Sequence, residues 1–64
     1  MTRVYIIVNV QYKGGTITPI FLTARTNKEE AERVAHLYKD YADYNVEIWD
    51  YAFDEAGKLV MGGI

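Results

Sequence analysis

Cysteine and serine are both missing from this 64-residue chain. Without cysteine there is no disulfide framework and no thiolate metal site. Without either residue, the common nucleophile–base–acid arrangements cannot be assembled. Proline occurs once, at Pro19, and histidine once, at His36. No apolar run approaches the roughly 20 residues that cross a bilayer. No basic segment followed by a cleavable apolar stretch opens the sequence, so the expectation is a soluble, cytoplasmic protein. Acid is missing from a whole region: residues 1–28 hold Arg3, Lys13, Arg25 and Lys28 but no carboxylate. All nine carboxylates fall between Glu29 and Glu55, so the charge is +4 over the first segment and 3 − 9 = −6 over the rest, for a net −2. Such a split bears on which partners are attracted and says little about fold.

What is present is enough for one small domain spanning residues 1–64. Half of the residues are hydrophobic, which excludes a disordered chain. A domain of this size buries only about 60% of the surface its unfolded chain exposes, and self-association is one way to reinforce it.

The pattern predicts ββαββ. Val4, Ile6, Val8, Val10 and Tyr12 alternate with more polar positions until Lys13-Gly14-Gly15-Thr16 interrupts them. A Gly-Gly pair between two β-rich runs fits a two-residue hairpin turn, where positive φ is needed. A second strand follows over 17–24, and Pro19, which cannot donate to a ladder, places it at a sheet edge or a bulge. Thr26-Asn27-Lys28-Glu29-Glu30 offers overlapping capping boxes, Thr26 with Glu29 or Asn27 with Glu30. A helix is therefore expected over 27–43, with Ala31, Val34, Ala35, Tyr38 and Ala42 on its buried stripe. A third strand is expected over 45–53, a turn at Asp54-Glu55-Ala56-Gly57, and a short fourth strand over 58–61. The simplest sheet is α+β and two-layered: four antiparallel strands in the order 2-1-3-4, with the helix on one face.

One helix covers one face, and strand parity makes both faces apolar. Val4, Ile6, Val8, Val10, Ile17 and Phe21, joined by Val46 and Ile48, are assigned to the helix. Tyr5, Ile7, Ile20, Leu22, Trp49, Tyr51 and Phe53 are assigned to the opposite face as an exposed interface. The alternative is a different register, or a bulge that turns some aromatics inward. Asp50 falls by parity on the helix side, either beyond the helix end or at such a bulge.

Chemical motifs are scarce. His36 lies between Glu32 and Asp40, four residues from each, which reads as a solvated charge cluster rather than a metal site. Gly14-Gly15 lacks the following helix and the lysine of a phosphate loop. No cofactor or metal is expected, and no catalytic residue is assigned: paired carboxylates need a cleft that so small a domain offers little room for. Two binding readings remain. In the first, the chain is a non-catalytic protein-binding module and homodimer that uses its aromatic face. An acidic surface of Asp40, Asp43, Glu47, Asp50, Asp54 and Glu55 would meet a basic partner. In the second, Tyr5, Trp49, Tyr51 and Phe53 stack on single-stranded nucleic acid, against which stand Glu47 and the acidic balance.

The stretch Thr18-Pro19-Ile20-Phe21, then Thr26 through Glu32, Val34-Ala35 and Val46-Glu47-Ile48 resembles the strand, capped helix and strand of many short phage and bacterial proteins of unassigned role. It is similar in layout to small phage-encoded inhibitors of host enzymes, including polymerase inhibitors and some anti-CRISPR proteins. The resemblance covers about residues 18–53 and carries over no functional residue. It implies a small binder or inhibitor acting in a host cytoplasm.

Overall fold

The structure, a computed structural model, describes residues 1–41 and 44–62. Strand β1 (Thr2–Lys13) turns through Gly14-Gly15 into β2 (Thr16–Arg25), helix α1 (Lys28–Tyr41) follows, and β3 (Val46–Phe53) and β4 (Leu59–Met61) complete the chain. The sheet is antiparallel throughout, with strand order β2-β1-β3-β4. This is the expected α+β layout. Gly14 and Gly15 have φ of 55° and 80°, the pair of positive values that a two-residue hairpin turn requires. The turn sets the register expected from it, with Val10 opposite Pro19 and Val8 opposite Phe21.

The helix begins at Asn27, not at Thr26. Asn27 Oδ1 accepts the Glu30 amide at 3.0 Å and its carbonyl accepts the Ala31 amide at 3.0 Å, the arrangement of an N-cap. Glu30 does not complete the box: its carboxylate reaches Arg25 at 3.5 Å instead, tying the end of β2 to the first helical turn. Ala31 and Ala35 are buried and Val34 and Tyr38 half-buried, as the stripe predicts. Ala42, the last residue of that stripe, lies outside the described residues. The small alanines let the helix approach the sheet, and beneath it sit Tyr5, Ile7, Val46, Leu22 and Ile48.

The helix therefore covers the odd-numbered side of β1, the reverse of the expectation. Ile7 pairs with Ile48 and Tyr5 with Asp50, so odd residues of β1 share a side with even residues of β3. The expected grouping of Val4, Ile6, Val8 and Val10 with Val46 and Ile48 is one residue out of phase, and in a period-2 structure one residue exchanges the faces. Leu22, of the same parity as Ile20, moves with that interchange, and the β1–β2 register shifts beside it, between Ile7 and Val8, which pair with Thr23 and Phe21. Leu22 is thus the extra residue of a bulge and packs into the helix-side cluster.

Ile7 is fully buried. Truncation of such a side chain costs about 2–5 kcal/mol, a large share of the roughly 3–10 kcal/mol that a domain of this size possesses. Ile7→Ala should leave the chain largely unfolded or close to its transition, whereas Val60→Ala, at an exposed edge position, should change the urea midpoint little. Equal effects of the two would contradict this core.

Candidate functional site

The side of the sheet away from the helix is built by alternation along three strands. Val46 and Ile48 pack toward the helix, so Glu47, Trp49, Tyr51 and Phe53 point to the other side. In the register, Val8 lies opposite Glu47, Ile6 opposite Trp49 and Val4 opposite Tyr51. Across β1, Val8 meets Phe21 and Val10 meets Pro19. A row of aliphatic side chains in the central strand is thus flanked by rings on both sides. Val8 and Val10 are each only 3% exposed although no helix covers them, which shows how closely their neighbours crowd over them. Phe21 is 63% exposed.

Trp49, Tyr51 and Phe53 accordingly occupy the helix-free face as expected, but Tyr5, Ile7, Ile20 and Leu22 do not. Tyr5, Ile7 and Leu22 belong to the core under the helix, and Ile20, opposite Asn9, is turned to that same side. Val4, Ile6, Val8, Val10, Ile17 and Phe21 replace them, since the interchange of faces moves every member of the row together.

Two polar groups mark its limits. Trp49 Nε1 donates to Glu47 Oε1 at 3.3 Å, so the indole leans along β3 toward the one charge that the strands place on this face among the described residues. Tyr51 lies over Gly62, where a Cβ would come within 2.5 Å of the ring, and Leu59 closes in from β4.

The described acidic residues are divided among the helix, β3 and the turn after it. Asp40 lies on the exposed side of the helix, 3.3 Å from His36, and Asp43 is outside the described residues. Glu47 is on the helix-free face. Asp50 is on the helix side, where Arg3 binds its Oδ2 at 2.8 Å. It lies beside Tyr5 with no bulge in the β1–β3 pairing, so parity alone accounts for it. Asp54 turns inward on its own loop, accepting the amides of Ala56 at 3.0 Å and Lys58 at 2.8 Å. Glu55 is exposed in that turn. Strand alternation sends Glu47 and Asp50 to opposite sides, and turn closure occupies Asp54.

The outer edge of β2 is unsuited to pairing, whereas β4 pairs only with Ala52 and Phe53 and leaves 46–51 of β3 without a strand on that side among the described residues. Val10 donates its amide to the Asn45 carbonyl at 2.9 Å, toward the β3 side, so Val10 and Pro19 form a non-hydrogen-bonded pair of the β1–β2 ladder. The nitrogen of Pro19 consequently faces the outer edge, where it has no hydrogen to offer. The bulge at Leu22 interrupts the same edge. At the other margin β4 has three residues and a register shift of its own.

The helix carries two shallow hollows. One, of about 330 Å³, lies between Glu32, His36 and Lys39 of the helix and Val46 and Ile48 of β3. His36 pairs with Asp40 on the solvent side, and no cluster of three metal-binding side chains occurs among the described residues. The other, apolar and about 280 Å³, is lined by Leu37, Tyr38 and Tyr41. Tyr38 also stacks on Tyr44, with ring centroids 6.5 Å apart. No helix among the described residues is long and apolar enough to cross a membrane. Comparison with known proteins gives no match to a family model, a curated protein or a solved structure.

Asp54 should behave as a turn residue. Asp54→Ala removes the acceptor of two amides and should cost about 1 kcal/mol in urea unfolding. Asp54→Asn keeps a side-chain oxygen and should lose clearly less. Equal losses in the two variants would refute the capping role.

Proposed function

We propose that this chain is a non-catalytic protein-binding module that works as a homodimer, two copies meeting through their helix-free sheet faces. The observation that carries the reading is the unbroken apolar row Val4, Ile6, Val8 and Val10, with Trp49 and Phe21 on either side of it. Val8 and Val10 of that row are themselves only 3% exposed, and the accessible apolar members beside it are Phe21 at 63% and Ile17 at 59%; exposed apolar side chains grouped in this way mark association surfaces, and aromatic side chains are their usual anchors. Size is adequate. The broad side of the molecule measures 37 × 27 Å, a projected footprint of roughly 1,000 Å² at most, against about 800 Å² per partner in a standard stable interface.

A strand added at the β2 edge would meet Pro19 and the bulge at Leu22. Two sheets packed face to face, about 10 Å apart, would bury the apolar rows of both copies without using either edge. The non-catalytic part of the reading rests on the absent serine and cysteine and on carboxylates that are dispersed rather than paired in a cleft. That dispersal also removes the support for an acidic patch docking on a basic partner.

Stacking on single-stranded nucleic acid draws less support. Among the described residues the one charge that the strands place on the aromatic face is Glu47, and Arg3 lies with Tyr5 on the helix side, paired with Asp50. Phosphate binding requires the other sign.

Sedimentation velocity over a micromolar concentration series tests the reading. The wild-type chain should show a dimer that dissociates on dilution, and Phe21→Glu should remain monomeric over the same range. Leu37→Glu, on the exposed surface of the helix, should leave the dimer intact. A wild-type chain that is monomeric throughout, or one that Leu37→Glu dissociates and Phe21→Glu does not, would overturn it.

A further inference from the structure

The two margins of the sheet differ. Along β2 the outer edge is closed by Pro19 and by the bulge at Leu22. Along β3 the pairing with β1 runs without a break from Val46 to Phe53, and on its other side β4 reaches only Ala52 and Phe53. The ladder fixes which backbone groups this leaves over. Val10 donates to the Asn45 carbonyl at 2.9 Å, so the odd residues of β3 bond to β1 and the even ones point outward. The Asp54 amide, which donates to the Lys58 carbonyl at 2.9 Å, obeys the same alternation. Val46, Ile48 and Asp50 therefore present their N–H and C=O groups at an edge with no strand beside it among the described residues.

The hollow of about 330 Å³ adjoins this edge: Ala35, Val46 and Ile48 give it an apolar lining, and Glu32, His36 and Lys39 of the helix stand around them. Ile48 is only half-buried, whereas its β1 partner Ile7 is fully buried. On the other side of the same strand Glu47 receives one hydrogen bond, from the Trp49 indole at 3.3 Å. We propose that this edge takes up an extended peptide segment of a partner protein, antiparallel to β3, in which a bulky apolar residue opposite Ile48 is followed by lysine or arginine opposite Glu47. Cross-strand neighbours share a side of the sheet, so the first side chain enters the hollow and the second meets the carboxylate. Backbone bonds to Val46, Ile48 and Asp50 supply affinity, and the two side chains supply selectivity. A second copy is a poorer occupant, since its β3 would bring the carboxylates of Glu47 and Asp50 to an edge that already carries both. This names a partner class for the protein-binding part of the reading above and does not rest on the pairing of two copies.

Amide hydrogen exchange followed by nuclear magnetic resonance, with and without the blocked peptide acetyl-Thr-Thr-Thr-Leu-Arg-Thr-Thr-amide, tests it. In the free chain the Ile48 and Asp50 amides should exchange at least tenfold faster than those of Trp49 and Tyr51, which bond to β1. Saturation with the peptide should protect them and shift the methyl resonances of Ala35 and Ile48. Replacing the arginine of the peptide with glutamate should weaken binding about tenfold, and Glu47→Lys in the chain should restore it. Replacing the leucine with aspartate should abolish binding. Failure of the peptide to bind, binding that leaves the two amides unprotected, or a glutamate peptide that binds the wild-type chain equally well would overturn the proposal. So would amides already protected in the free, dilute chain, or protected only on concentrating it, the latter assigning the edge to a second copy. Sedimentation of the chain is read without peptide, so the edge and the helix-free face can each fail alone.

Discussion

A single helix shields a single side of a four-stranded sheet, and the register between β1 and β3 decides which side chains it shields. Ile7 opposite Ile48 puts both beneath Ala31 and Ala35, and every other placement follows from that pairing. A slip of one residue would exchange the two sides of the central strand completely. Because both sides are apolar, hydrophobicity alone discriminates weakly between the registers. Charge discriminates better. In the observed register Arg3 and Asp50 share a side and meet at 2.8 Å, whereas the slipped one would separate them and leave Asp50 alone against the core.

Polar side chains hold three of the four connections around that core. Asn9, buried in β1, accepts the Asn45 amide at 3.1 Å and so secures the entry to β3. Asn27 caps the helix, Arg25 links the end of β2 to Glu30, and Asp54 closes the last turn. Each is worth on the order of 1 kcal/mol. In a chain with so little apolar volume to spare, these fixed joints keep the layer and the helix in one relative position. They also account for several charged and amide residues that would otherwise suggest a binding site.

Much of this was legible before any coordinates. The glycine pair set the hairpin and its register, the acidic cap and alanine stripe set the helix, and Pro19 placed β2 at an edge. What the alternation could not supply was the phase between β1 and β3, which are separated in sequence by a hairpin and a helix. The longer aliphatic row, Val4 to Val10, looked like the core, yet Tyr5 and Ile7 occupy it. The complementary charges of Arg3 and Asp50 were the available signal, since joining them groups the odd residues of β1 with the even residues of β3. The bulge at Leu22 left no comparable trace, because no glycine or other turn residue announces it. Of the acidic residues grouped in the sequence, strand alternation sends Glu47 and Asp50 to opposite sides and turn closure occupies Asp54.

The face away from the helix is therefore richer in branched aliphatic side chains than in rings, with Trp49 and Phe21 flanking a valine and isoleucine row. Its use as the meeting surface of two copies is the central claim. Isotope-filtered nuclear Overhauser spectra on a sample that mixes labelled and unlabelled chains test it most directly. The account predicts contacts between copies from Ile6, Phe21 and Trp49. Contacts between copies confined to Leu37 and Tyr41 of the helix or to the outer edge of β2 would contradict it.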